Sequence, residues 1–274
     1  MKKVICNIII ILGLLMNSLY AQKFMTYNLR YDNPNDGINK WELRKENIID
    51  LICEYHPDVF GTQEGLCHQL EFLDENLTDY SYVGVGRDDG KKKGEYCAIF
   101  YKNSAYKIVK ESTFWLSTTP NEISVGWDAV LERICTYALF EDKKSGKQFW
   151  VFNAHFDHVG EKAQYESAKL ILKKIQQLNQ GNLPVVLMGD LNLKPESKAI
   201  KYLADNMIDS HIKAKTKSKI GTFNAFEHDK PVTDRIDYIF VDNSTKIVNY
   251  KIIDLKVDGK YPSDHLPVMI EIKK

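Results

Sequence analysis

Apolar residues along the chain follow two rhythms. Runs rich in Val, Ile, Phe and Tyr recur at 23–29, 58–63, 80–85, 96–101, 130–140, 148–154 and 184–188, then again at 235–241, 247–256 and 267–272. Their brevity and β-branched or aromatic content predict strands. Between them lie stretches whose apolar positions repeat every three or four residues. These predict helices at 41–55, 65–76, 162–178 and 197–203, the first ended by Pro57. Gly146 falls between two strand-like runs and predicts a hairpin tip. No repeat, low-complexity tract or Pro/Gly linker interrupts the series. The pattern predicts one α/β domain, its mostly antiparallel strands in two sheets with helices packed outside.

Composition changes this picture in one place. Lys2 and Lys3 precede an apolar stretch, Val4 to Met16, and a short polar-to-small segment ending at Ala21. That is the layout of a secretory signal peptide, too short for an ordinary membrane span. We therefore expect a leader at 1–21 and a folded domain at 22–274, periplasmic or secreted, monomeric, with no stable membrane span once the leader is cleaved. The 37 basic and 37 acidic residues balance, so charge leaves no electrostatic footprint for nucleic acid. Cys53, Cys67, Cys97 and Cys135 lack metal-site spacing. Cys97 and Cys135 sit in strand-like runs and read as core thiols.

The candidate chemistry lies where the apolar runs stop. Asp190 and Asn192 follow Val-Val-Leu-Met-Gly, so a carboxylate and an amide leave the core edge on one side, though Gly-Asp and Asn-Leu are also ordinary turn formers. Glu64 follows Val-Phe-Gly-Thr-Gln and suits a hard cation, or the N-terminal dipole of the next helix. Asn28 ends the first strand and could join Glu64. His155 and His265 each lie near an Asp, Asp157 and Asp264, and imidazole is the acid or base that works near neutral pH; a structural histidine is the competing reading. Asp237 alternates with Ile236 and Tyr238, as a carboxylate that orients a histidine would.

Taken in order, Tyr-Asn-Leu-Arg (27–30), Thr-Gln-Glu (62–64), Asn-Ala-His-Phe-Asp-His (153–158), Gly-Asp-Leu-Asn (189–192), Arg-Ile-Asp-Tyr-Ile-Phe (235–240) and Ser-Asp-His-Leu-Pro-Val (263–268) resemble the endonuclease/exonuclease/phosphatase superfamily, the deoxyribonuclease-I-like phosphoesterases. The stretches at 84–90, 114–117, 126–128 and 133–136 are similar to a secreted bacterial subgroup of it. The resemblance implies a four-layered α/β/β/α sandwich, dependence on Mg²⁺ or Mn²⁺, and hydrolysis of a phosphate ester by in-line attack of a metal-activated water. It implies metal contacts at Asn28, Glu64, Asp190 and Asp264. Asp190, Asn192, His155, His265 and Asp237 are implied as catalytic, with the division of acid and base roles open. Abasic-site nucleases of the superfamily usually carry an acidic residue where this chain has Arg30. A cation there suits a phosphate contact instead.

Arg87, Arg133, Trp115 and Trp127 are candidates for substrate contact, with loop packing as the alternative. Phe114-Trp115-Leu116 is a candidate membrane-docking hairpin. The substrate we expect is a small-molecule, glycan or lipid-headgroup phosphate, because no basic patch is present. Extracellular endo- or exonuclease activity on DNA or RNA is the alternative. A catalytically inactive binding module on the same scaffold is a third reading. It would be marked by loss of Glu64, Asp190 or His265, all of which are present.

Overall fold

In the computed structural model, which describes residues 21–215 and 220–273, two six-stranded sheets pack face to face with helices outside each. Apart from Ala21, the expected leader lies outside the described residues. The first sheet has the order β11 (Ile247–Ile252), β12 (Val268–Lys273), β1 (Ala21–Asn28), β2 (Val59–Gln63), β4 (Ile99–Lys102), β3 (Tyr80–Val83). The second runs β5 (Tyr106–Trp115), β6 (Ile134–Asp142), β7 (Gln148–His155), β8 (Val185–Asp190), β10 (Asp237–Val241), β9 (Ile208–Asp209). Each sheet has one parallel pair, β1 with β2 and β7 with β8, and is otherwise antiparallel. Parallel neighbours end at the same edge, which gathers four strand ends at one end of the sandwich.

Three apolar layers separate the four structural ones. Phe24, Val59, Val151, Val186, Ile239 and Ile270 fill the space between the sheets. Helices α1 (Lys45–Tyr55) and α2 (Cys67–Asn76) cover the first sheet with Ile48, Leu51, Ile52, Leu70 and Leu73. Helices α3 (Glu161–Leu178) and α4 (Lys198–Asn206) cover the second with Ala168, Ile171, Ile200 and Leu203. A short α5 (Ser210–Lys213) follows.

The predicted helix at 41–55 is divided. Trp41–Leu43 is a 3-10 turn, and α1 starts only after Arg44. Buried Arg44 donates to the backbone carbonyls of Leu29, Arg30 and Pro262, which fixes its own backbone outside the helix. Helix α1 stops at His56, in the left-handed conformation before Pro57. The strand predicted at 130–140 starts later, at Ile134, because residues 130–133 are drawn into the loop that feeds the cleft. Strand β5 has no counterpart in the sequence reading. Its central residues, from Lys107 to Ser112, are largely exposed, so it shows no buried period to find. The four cysteines among the described residues are free, with Cys97 and Cys135 buried.

A polar seam joins the sheets toward the site. The Asn153 amide donates to the carbonyls of Thr62 and Ala98, and Gln63 Nε2 donates to Asn153 Oδ1 at 2.6 Å. Gly61 leaves room for this crossing; a Cβ there would lie 2.6 Å from Asn153 Cγ. Gly189 has φ +148°, and a Cβ would lie 1.9 Å from the Ala154 carbonyl oxygen. It lets β8 press against β7 just before Asp190.

Candidate active site

A cleft of about 400 Å³ opens at the gathered strand ends. Asn28 closes β1, and Glu64 follows β2 with φ +62°. His155 and Asp190 are register partners at the ends of parallel β7 and β8. Asp237 starts β10 directly opposite Asp190. Asp264 and His265 lie on the approach to β12. Distant parts of the chain meet because sheet register puts them there.

Asp190 is the centre of this group. Its Oδ2 accepts from Asn28 Nδ2 at 2.9 Å and lies 3.6 Å from His155 Nε2 and 3.7 Å from His265 Nε2. Its Oδ1 accepts from the Asn192 amide nitrogen at 2.9 Å, a contact made by the left-handed backbone of Asn192. Asn28 also donates to Glu64 Oε1 at 3.0 Å, while its own Oδ1 accepts from Arg30 N. The amide thus ties two carboxylates together. Asn192 Nδ2 lies 3.1 Å from His155 Nε2 and donates to the Phe156 carbonyl, holding the histidine rather than reaching into open space.

The two histidines are pushed to opposite charge states. Burial, reinforced by Arg133 and Arg87, holds His155 well below its ordinary range, so it is neutral. Burial also opposes charge on His265, but Asp237 and Asp190 outweigh it and raise it well above that range. The Asp237 carboxylate accepts from His265 Nδ1 at 2.9 Å, leaving Nε2 toward Asp190. One imidazole can accept a proton and the other can donate one.

Sequence reasoning missed Glu95. It lines the cleft, with Oε2 3.7 Å from His155 Nδ1. Burial raises its carboxyl to about 7 despite Arg87 beside it. No apolar run ends at Glu95, so the strand-end signal could not reveal it. His158 also lines the cleft, and Arg133 Nη2 lies 2.8 Å from its Nδ1.

The expected substrate contacts divide. Arg30 and Arg133 line the cleft, both already paired. Arg30 binds Asp36 through two hydrogen bonds and lies 3.8 Å from Asp264. Arg133 reaches His155, His158 and Asp157. Arg87 does not line the cleft: its guanidinium lies behind it, in a two-pronged pair with Glu95 at 2.8 Å. Trp127 is half-buried and off the cleft wall. Trp115 is buried, its indole donating to the Arg87 carbonyl, and Phe114 and Leu116 are buried with it, so this segment offers no membrane-docking surface. Among the described residues no helix is long and apolar enough to cross a membrane.

The donor set fits a hard divalent cation. Glu64, Glu95, Asp190 and Asp264 face the cleft, against Arg30 and Arg133, each already paired, and the cationic His265. Asp190 is raised to about 7 by burial and by Asp237, and Asp264 is raised by burial and by Glu64. The donor atoms of Glu64, His155 and Asp190 lie within 4.8 Å of one another, as do those of Asp190, Asp237 and His265. A crowd of buried carboxylates short of positive charge is what a cation relieves.

Comparison with known proteins agrees with this geometry. The endonuclease/exonuclease/phosphatase family description matches residues 25–265. A mannosyl-6-phosphatase of Bacteroides thetaiotaomicron has a similar structure, with TM-score 0.89 and 39% identity over 92% of this chain and 100% of that one. An uncharacterised protein of Acanthamoeba polyphaga mimivirus is 28% identical over 85% of this chain and 92% of its own length. Human nocturnin is 24% identical over 85% of this chain, which spans only 58% of nocturnin. With the metal-ready carboxylates and paired histidines at its strand ends, the chain belongs to the endonuclease/exonuclease/phosphatase family and is a metal-dependent phosphoric ester hydrolase.

Proposed function

We propose that this hydrolase is exported and removes phosphate from a small-molecule, glycan or lipid-headgroup ester, with a sugar phosphate the favoured substrate. One observation carries the choice against nucleic acid. Among the described residues the only arginines or lysines lining the cleft are Arg30 and Arg133, and each is held by carboxylates. A polynucleotide needs cations for the phosphates flanking the one that reacts. A single ester needs none. The 39% identity to a mannosyl-6-phosphatase supports a sugar phosphate among these substrates. Export rests on the pattern of residues 1–21.

In this reading Glu64 and Asp264, with Asp190 and Asn28, would hold Mg²⁺ or Mn²⁺, which when bound would supply Lewis-acid charge to the phosphoryl oxygens. Asp190, a carboxylate raised to about 7, takes a proton from the attacking water as the bond from phosphorus to the alcohol oxygen breaks, and the departing alkoxide takes up a proton from solvent. His265 stays cationic through Asp237 and donates to a phosphoryl oxygen. His155, fixed by Asn192 and Arg133, faces the same phosphoryl group as a neutral partner. Arg30 adds positive charge at the rim.

The test is a panel with Mg²⁺ or Mn²⁺: mannose 6-phosphate, a nitrophenyl monoester, a bis-nitrophenyl diester, sphingomyelin, plasmid DNA and RNA. Turnover of a monoester or small diester far above nucleic acid is the expected result. Preference for RNA, to which a relative in Mycosarcoma maydis, a 3'-5'-exoribonuclease subunit of the CCR4-Not complex 25% identical over 84% of this chain, points, would favour the nuclease reading instead.

A further inference from the structure

One lip of the cleft wall is apolar at its outer edge. Leu131 lines the cleft, as does His158, and is 40% exposed; Val130, next to it in sequence, and Val159, next to His158, are 50% and 57% exposed just outside the wall. Single exposed aliphatic residues need no explanation. These three are gathered by design of the backbone. The N–H groups of Val130 and Val159 both donate to the Asp157 carboxylate, at 3.3 and 3.1 Å, which brings two segments 29 positions apart side by side. Ile123 and Val125, from the same loop as Val130, are exposed too, so half of the large exposed hydrophobics among the described residues belong to this loop and its neighbour.

The loop is pinned in this position. A Cβ on Gly126 would lie 2.0 Å from the Leu116 carbonyl oxygen, so the chain crosses there in contact. Trp127 adopts φ +51°. Asp128 accepts from the amides of Lys162 and Ala163, capping α3. The Gly-Trp-Asp stretch is therefore a bracket that holds the loop against the second sheet. A pinned loop that keeps aliphatic side chains in water beside a catalytic cleft marks a contact surface.

We infer that Leu131, with Val130 and Val159, seats the leaving alcohol of the substrate, and that this alcohol presents a carbon–hydrogen face, as a pyranose ring does. The inference rests on the sugar-phosphate reading above and adds where the sugar lies. The lip is not wholly apolar. Arg133 donates to His158 Nδ1, which leaves Nε2 as an N–H donor in this exposed side chain, suited to a hydroxyl. An acyl chain would have no use for it. This lip offers a nucleobase no ring to stack on: Trp127, the loop's only aromatic between Ile123 and Leu131, is off the cleft wall, and the aromatic side chains that do line the cleft, Tyr31 and Phe223, come from other segments.

The test compares mannose 6-phosphate with glycerol 1-phosphate, which has the same reacting group and no ring, using the full chain with Mg²⁺. Leu131→Asn combined with Val159→Asn should raise KM for mannose 6-phosphate about tenfold, or about 1.4 kcal/mol, with kcat unchanged. KM for glycerol 1-phosphate should stay within about twofold, and Ile123→Asn, on the same loop but off the cleft wall, should behave as wild type. Equal rises in both KM values, no rise in either, or a fall confined to kcat would overturn the inference. Failure of the underlying reading looks different: the wild type itself would turn over neither monoester.

Discussion

Oδ2 of Asp237 lies 2.9 Å from Nδ1 of His265, and the backbone of Asp237 sits directly opposite Asp190 in the sheet. The same ladder that pairs these two strands thus delivers a charged imidazole to the central carboxylate. His265→Ala should lower kcat by about 10²–10⁴-fold. Asp237→Asn should also lower it, by weakening the charge His265 carries. Each change also breaks a buried charged pair and should lower the melting temperature, so turnover per folded molecule is the deciding quantity. Steady-state kinetics and a thermal melt check this; a lower melt with turnover per folded molecule preserved would make His265 structural.

Removing divalent metal with EDTA should abolish activity, and Mg²⁺ or Mn²⁺ should restore it. A readout independent of turnover is stability. A cation that binds the folded carboxylate cluster at a hundred times its dissociation constant adds about 2.7 kcal/mol, roughly 5–10 °C in a domain of this size. Glu64→Ala should remove most of that shift. Full activity and an unchanged melt in EDTA would reject the metal role.

His155→Ala separates a phosphoryl contact from a loop support. Loss of a contact made in the transition state lowers kcat more than it raises KM. Both constants within about threefold of wild type, below the tenfold that about 1.4 kcal/mol would give, would assign His155 a structural part.

Arg87→Ala tests the placement of that residue behind the cleft. Removing one partner of a buried pair typically costs about 3–5 kcal/mol. Glu95, raised to about 7, can take up a proton, so a cost nearer 2 kcal/mol is expected, roughly 4–8 °C of melting temperature. An unchanged melt with a raised KM would instead make Arg87 a substrate contact.

The sandwich was legible because buried strands and amphipathic helices carry their period in the sequence. Val185–Asp190 and Glu161–Leu178 lie within a residue or two of their predicted bounds. Strand β5 was not legible, because its middle faces water and its register comes from pairing with β6. Asn28, Glu64, His155, Asp190 and Asp237, which the structure brings together, could be singled out because each ends, follows or starts a strand; His265 lies in the turn before β12. Glu95 and the Leu131 lip lie on loops whose course is set by contacts such as Arg87 with Glu95 and Asp157 with Val130. Those contacts depend on partners far along the chain, and no local pattern records them. Arg87 and Trp115 illustrate the converse, since residue type suggested a ligand and burial supplies a partner inside the protein.

The most direct measurement of the central claim is release of inorganic phosphate from mannose 6-phosphate by wild type and by Asp190→Asn, each saturated with Mg²⁺ and shown to be folded by its melt. Asp190 is where Asn28, His155 and His265 converge. The account predicts that wild type releases phosphate and that the variant is slower by about 10³-fold or more. Release within tenfold of wild type by folded Asp190→Asn would contradict it.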